Sequence, residues 1–166
     1  MKITQTVTQL REISGGSQGT FETLKLMRVL TKHGKTSMPV RELALSLISD
    51  LNQKDYIAEA KRIHAFVRDK IRYVRDVDGV ETLHTPDKVI EYGQGDCDDK
   101  SILAASLLGA IGHKTRFVAM GFKDKPFSHV YLETKIGNKW VGFETTEPVN
   151  FGWYPPGVTS RMVVNN

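Results

Sequence analysis

The one cysteine of the chain, Cys97, lies in the string Gly93-Gln94-Gly95-Asp96-Cys97-Asp98-Asp99, directly ahead of a long apolar run. Glycines let a substrate backbone approach closely, and aspartate at position 96 is a good helix cap. A helix opening at Cys97 offers the sulfur free backbone N–H groups and the positive end of its dipole. Both stabilise a thiolate, and the same donors can hold the oxyanion of a carbonyl under attack. Three aspartates flank the thiol and oppose its ionisation. At about 100° per residue, however, Asp98 and Asp99 are expected to turn off the cysteine's face, with Asp96 spent on the cap. Position alone leaves both an inert packed thiol and a nucleophile open.

A thiol nucleophile needs an imidazole beside it and an acceptor behind the imidazole to fix its tautomer. Four of the five histidines read as surface or packing residues. His33 falls in a Lys/Gly-rich connector, His64 on a charged helix, His84 before a Thr-Pro cap and His113 after a stop glycine. His129 differs, because it falls inside an alternating segment and shares a face with Phe127 and Tyr131. The chain then turns back through a tight loop. With Ile136-Gly137 as a two-residue loop, His129 faces Glu144 directly. With Gly137-Asn138, the two are diagonal neighbours on one face, within side-chain reach. A loop of odd length would place them on opposite faces. A cross-strand ion pair without chemistry fits the same spacing.

The elements that must bring these groups together are set by periodicity. Phe21, Leu24, Met27 and Leu30 recur at helical spacing from Thr20 onward, and Pro39 opens a second helix with its stripe at Val40, Leu43, Ala44, Leu47, Ile48 and Leu51. A third is expected from Asp55 to about Lys70, with Tyr56, Ala60, Ile63 and Val67 inward. Thr85-Pro86 starts a short helix that ends at Gly93, and the apolar segment Asp98 to Ile111 is a central buried helix stopped by Gly112. The period then drops to two, predicting strands at about 115–120, 127–134 and 139–143. Helices succeeded by an antiparallel sheet make an α+β fold.

The chain divides into three regions: an arm over residues 1–19, a main domain over 20–150, and a tail over 151–166. The arm, rich in Thr, Gln, Ser and Gly, is expected to be flexible, although Ile3, Val7 and Leu10 share a short stripe. The tail carries Phe151, Trp153, Tyr154, Pro155, Pro156 and Gly157. Proline pre-sets an extended course, so residues 151–157 are expected along the catalytic edge of the sheet, as a groove wall or a cover.

With 166 residues, 40% hydrophobic and 25% charged, the chain suits one soluble domain that needs no staple. One cysteine excludes an internal disulfide and fits a reducing compartment. The longest apolar run, Ile102 to Gly112, is shorter than the ~17 residues of a membrane span, and no apolar leader opens the sequence. A net charge of +4, with basic residues from Lys61 to Arg75 broken by Asp69, gives no nucleic-acid surface. The Lys100-Ser101 dipeptide lacks the glycines of a phosphate loop, and the zinc patterns are missing. Neither cofactor nor metal is therefore expected, and no nucleic acid or membrane among the partners.

The string GDCDDKSILAASLLGAIGH, the strand RFVAMGF, then SHVYLE and KWVGFETTEP resemble the transglutaminase-like core, a branch of the papain-like cysteine enzymes, from about Ile71 to Gly157. The resemblance implies a Cys-His-Asp triad with the cysteine opening a helix packed on an antiparallel sheet. Cys97 matches the nucleophile and His129 the base, while Glu144 stands where the family has aspartate. Glu147 is the substitute if Glu144 points elsewhere. The backbone N–H of Cys97 and the side chain of Gln94 are the oxyanion candidates. The activity this resemblance implies is cysteine-dependent acyl chemistry on amide or peptide bonds through a thioester, by hydrolysis or transamidation, with a protein or peptide substrate.

The alternative is an assembly component that keeps this fold with little or no catalysis and docks partners through the N-terminal arm and C-terminal tail. Small stand-alone members of this kind resemble proteins of tailed bacteriophages. The corresponding expectation for location is cytoplasmic, or incorporated in a virion.

Overall fold

The computed structural model describes residues 13–77 and 80–166. Most of the expected arm, including the Ile3/Val7/Leu10 stripe, lies outside the described residues. The glycines that were to end that arm instead begin a helix: α1 runs Gly16–Gly34, behind Gly15 in extended geometry. Its close-packed start explains the glycine at position 19, where a Cβ would meet the Ser14 carbonyl.

The next helices begin on capping side chains. α2 (Met38–Ile48) starts where the Ser37 side chain accepts from the Val40 N–H, with Pro39 in the first turn. α3 (Tyr56–Lys70) starts on Asp55, which accepts from the Ala58 N–H. A two-residue strand, β1 (Arg72–Tyr73), comes next. α4 (Pro86–Tyr92) is capped by Thr85 and closed by Gly93 in the left-handed region at φ 63°, a conformation that suits glycine. The strand after it, β2 (Gln94–Gly95), pairs in parallel with β1, a contact too short to leave a sequence signal.

α5 (Cys97–Ala110) is held by a capping box: Asp96 accepts from the Asp99 N–H and Asp99 reaches back to the Asp96 N–H. Gly95 is required beside it, since a Cβ there would come within 2.5 Å of the Asp99 Cβ. The helix is buried from Asp98 through Leu108, as its apolar circumference requires. Even Lys100 is buried. Its ammonium donates to the carbonyls of Ile71 (2.8 Å) and Arg68 (3.3 Å) at the end of α3, and burial lowers its pKa to about 8.

The sheet has four antiparallel strands in the order β5-β4-β3-β6: β3 (Thr115–Phe122), β4 (Lys125–Ile136), β5 (Lys139–Phe143) and β6 (Val158–Asn165). The last of these corrects the reading of residues 151–166 as a tail alone. Ser160, Met162 and Val164 alternate inward, with Val158 half-buried at the start of the strand, and β6 pairs along β3 from Phe122↔Val158 to Arg116↔Asn165, with a register shift after Gly121. Ile136 pairs with Lys139, so the hairpin loop is Gly137-Asn138.

One face of this sheet carries Phe117, Ala119, Val130, Leu132, Phe143 and Val164 against the helices, in a core that also holds Leu24, Met27, Ile63 and Leu103. Val118, Met120 and Tyr131 cluster on the opposite face. Among the described residues, no helix is long and apolar enough to cross a membrane. This α+β architecture is the expected one.

Candidate active site

Cys97 is the first residue of α5, and its position is imposed by the capping box around it. Cys97 and His129 line one cavity of about 260 Å³. Val130, next to His129 on β4, directs its backbone N–H at the Cys97 sulfur and favours the thiolate. Stronger effects oppose this donor. Burial first, then the nearby Asp98 and Asp96 carboxyls, push the Cys97 thiol above its ordinary range.

The position of Asp98 differs from the sequence expectation. Rather than turning away, it lies beside the cysteine, 4% exposed, with Oδ1 accepting from the thiol at 3.7 Å. Burial, then Asp96 and Glu81, hold the Asp98 carboxyl well above the usual carboxylate range. Asp96 is likewise raised, to about 7, chiefly by burial. Asp99 does turn away, accepting from the backbone N–H and Nδ1 of His84, each at 2.8 Å.

His129 and Glu144 meet as diagonal neighbours across the β4–β5 hairpin, the outcome that the Gly137-Asn138 loop dictates. His129 Nε2 donates to Glu144 Oε2 at 2.6 Å. The imidazole is 23% exposed and the carboxylate 1%. The other carboxylate oxygen accepts from the Thr146 N–H (2.7 Å) and hydroxyl (2.6 Å). Burial raises the pKa of Glu144, but the bonds from His129 and Thr146 outweigh it and hold the carboxyl below its ordinary range. A buried carboxylate satisfied on both oxygens stays ionised and orients the ring behind which it sits.

A second histidine contributes to this arrangement, one whose sequence position suggests only a packing or surface role. His64 is buried, and its Nε2 donates to the Glu144 carbonyl at 2.6 Å. Its ring packs edge-on against Phe143 and Phe151. Burial lowers its pKa, which favours the neutral form. The available signal was its spacing: His64 lies four residues after Ala60, on the same stripe as Ile63 and Val67.

Phe127 also departs from expectation. It has φ 46°, and the pairing of β3 with β4 shifts register between Met120 and Phe122 opposite it. The irregularity takes Phe127 off the face shared by His129 and Tyr131, so that it packs towards the helix-side core and lines the Cys97 cavity. Gly121 permits the close approach, because a Cβ there would meet the Ser160 hydroxyl and the Phe127 backbone.

Gln94 is fixed by Arg72, whose guanidinium donates to Gln94 Oε1 at 2.6 Å. This leaves the amide N–H groups as its donors. Glu147 is exposed and lines a second cavity of about 510 Å³ on the other side of His129. Trp153, Pro155 and Pro156 form part of that cavity together with His129 and Glu144. The aromatic and proline stretch therefore runs along the edge of the sheet that carries this pair. The start of α1 and the residues before it wall the first cavity on one side, through Ile13, Ser14 and Gly16. Among the described residues, no group of three or more His, Cys, Asp or Glu side chains is arranged to hold a metal ion.

The model of the transglutaminase-like superfamily matches residues 44–145, more than half of the chain and all of the Cys97, His129 and Glu144 region. The chain belongs to that superfamily. Solved structures agree on the fold. LapG from Legionella pneumophila, in its EGTA-treated form, superposes with a TM-score of 0.57 at 17% identity, covering 80% of this chain and 77% of LapG. A candidate cysteine protease from Cytophaga hutchinsonii gives 0.54 at 17% identity, over 77% of this chain and 50% of that one. A candidate protease from Parabacteroides distasonis gives 0.59 at 12% identity, over 75% of this chain and 26% of its own. The chain thus spans about a quarter of the Parabacteroides protein and half of the Cytophaga one. No curated protein matches the sequence.

Proposed function

We propose that the protein is a cysteine-dependent peptidase or acyltransferase acting on amide bonds, with Cys97 as nucleophile, His129 as general base and Glu144 as the group that orients it. The observation that carries this reading is the His129–Glu144 pair at 2.6 Å, with His129 on the wall of the cavity that Cys97 also lines. With Nε2 engaged by Glu144, the ring nitrogen that exchanges protons with the thiol is Nδ1. The thiol proton passes to Nδ1 as sulfur bonds to the carbonyl carbon. The oxyanion so formed is received by the Cys97 N–H and, in this reading, by the Gln94 amide. The imidazolium then protonates the departing amine, and a thioester remains. Water, deprotonated by His129, releases an acid; a second amine in its place gives a new amide. The family and its solved structures support the class of chemistry, and the open cavities on both sides of His129 support a substrate reaching it.

The test is trapping of the acyl-enzyme. Incubation with activated peptide esters should add one acyl mass to Cys97, removable by hydroxylamine and missing in His129→Ala. A correctly folded wild-type chain that gains no such adduct overturns the reading. The same outcome favours the assembly role, which the raised thiol and the glutamate at position 144 also suit.

A further inference from the structure

The two cavities that meet at His129 differ in chemistry. On the Cys97 side, the carboxyl groups of the wall are Asp98 and Glu81, and among the described residues neither Lys nor Arg belongs to it. Asp98 is 4% exposed, and the thiol at 3.7 Å is a weak donor that occupies only Oδ1. A buried carboxyl group with so little compensation, on the wall of an open cavity, is suited to a cationic partner. On the other side, the wall consists largely of Tyr73, Phe122, Val149, Trp153, Pro155 and Pro156; of its two carboxyl groups, Glu144 is taken up by His129 and Thr146, and Glu147 is exposed. Such a surface buries apolar area and offers a large side chain a rigid seat.

We infer that the cleft selects a peptide with a basic side chain on one side of the reacting bond, against Asp98 and Glu81, and a bulky apolar side chain on the other, against Trp153, Pro155 and Pro156. This rests on the acyl chemistry proposed above and names its substrate class. The charge requirement also bears on the nucleophile. Asp98 and Asp96 are among the groups that hold the thiol high. A cation seated on Asp98 stabilises its ionised form, so the correct substrate neutralises a charge that would otherwise stand beside the thiol. A substrate with an acidic residue in the same place adds to the opposing field.

The experiment measures binding by the full chain carrying Cys97→Ala, which cannot turn substrate over. Fluorescently labelled octapeptides are scanned in EDTA buffer, with Lys, Ala or Glu placed at each position in turn and Phe, Ala or Gly likewise. The tightest binders should combine one Lys with one Phe a few positions away. Exchanging that Lys for Glu should weaken binding by about tenfold or more. In the same background, Glu81→Lys should abolish the preference for Lys and leave that for Phe. Trp153→Ala should do the reverse. Equal binding of Lys and Glu peptides, a Lys preference that survives Glu81→Lys, or no binding at millimolar peptide overturns the inference. If the pattern holds but wild-type protein forms no acyl adduct with the selected peptides, the chemistry fails and the recognition stands.

Discussion

Glu144 reaches His129 diagonally across the hairpin, not from the position opposite, and closes to 2.6 Å. Diagonal neighbours stand about 7–8 Å apart, against roughly 5 Å for directly opposed pairs. The extra methylene of glutamate suits that span, which gives a physical reason for glutamate where the family has aspartate. Glu144→Asp should lose the contact and lower turnover by about ten- to a hundredfold. Glu144→Gln keeps the reach but loses the charge that stabilises the imidazolium, and a fall of roughly two to four orders of magnitude is expected. Steady-state kinetics, with circular dichroism as the folding control, decide between these outcomes. Equal activity in all three proteins would remove Glu144 from the mechanism.

The state of the thiol can be read by alkylation. Burial and the neighbouring carboxyls raise the Cys97 thiol, so in His129→Ala, where no imidazole can take its proton, the iodoacetamide rate should keep climbing beyond pH 9. The urea-unfolded chain should level off near the ordinary thiol pKa of about 8.5. Wild-type protein should add a limb at neutral pH, from thiolate formed with His129. A variant curve that superimposes on the unfolded control would show the thiol to be unperturbed.

Asp96 makes a stability prediction whose sign is opposite to that of Glu144. With its folded pKa raised to about 7 from 3.8, the native state binds the Asp96 proton more tightly than the unfolded chain does. Its stabilising contribution is complete below about pH 4 and is lost as pH rises through 7. Glu144, lowered in the fold, contributes above its unfolded pKa and loses that contribution as pH falls. Asparagine caps helices as well as aspartate does. Asp96→Asn should therefore gain a few degrees in thermal midpoint over wild type at pH 7.5, with the advantage shrinking towards pH 4. A difference that is constant with pH would show that Asp96 ionises normally.

Much of what a local rule controls was legible in the sequence. The Asp96 cap of α5, the short helix α4 from Thr85-Pro86 and Gly93, and the hairpin from Gly137-Asn138 with its flanking alternation are of this kind. Register parity brings His129 and Glu144 to one face for either two-residue loop, and the structure has one of these, Gly137-Asn138. Features imposed by tertiary packing were hidden. Asp98 lies beside the thiol although helical geometry suggested otherwise. β6 was obscured by the aromatic and proline run before it, although its inward positions alternate. The turned Phe127 depends on a register shift between two strands, which no single segment encodes.

The course of the tail along the site gives the last prediction. Gly142 of β5 is the contact that holds it: its N–H donates to the Tyr154 hydroxyl at 3.0 Å, its carbonyl accepts from the Gly152 N–H at 2.9 Å, and the Tyr154 hydroxyl donates to the Trp140 carbonyl at 2.9 Å. A Cβ on residue 142 would come within 2.5 Å of the Trp153 carbonyl and 3.2 Å of the Tyr154 ring. Backbone cannot yield as a flexible side chain does, so Gly142→Ala should push residues 152–154 off the sheet at a cost of about 1–3 kcal/mol. Removal of the whole tail is a poorer probe, because it also removes β6 and opens β3 as an edge. Because Trp153, Pro155 and Pro156 wall the larger cavity with His129, the displacement should raise KM for peptides with a bulky apolar residue by about tenfold. Acylation of Cys97 by a small activated ester should change little. Tyr154→Phe, which keeps the ring and loses only the hydroxyl bonds, should give a smaller shift in the same direction. Unchanged KM in a Gly142→Ala protein of wild-type secondary structure would remove the tail from the groove.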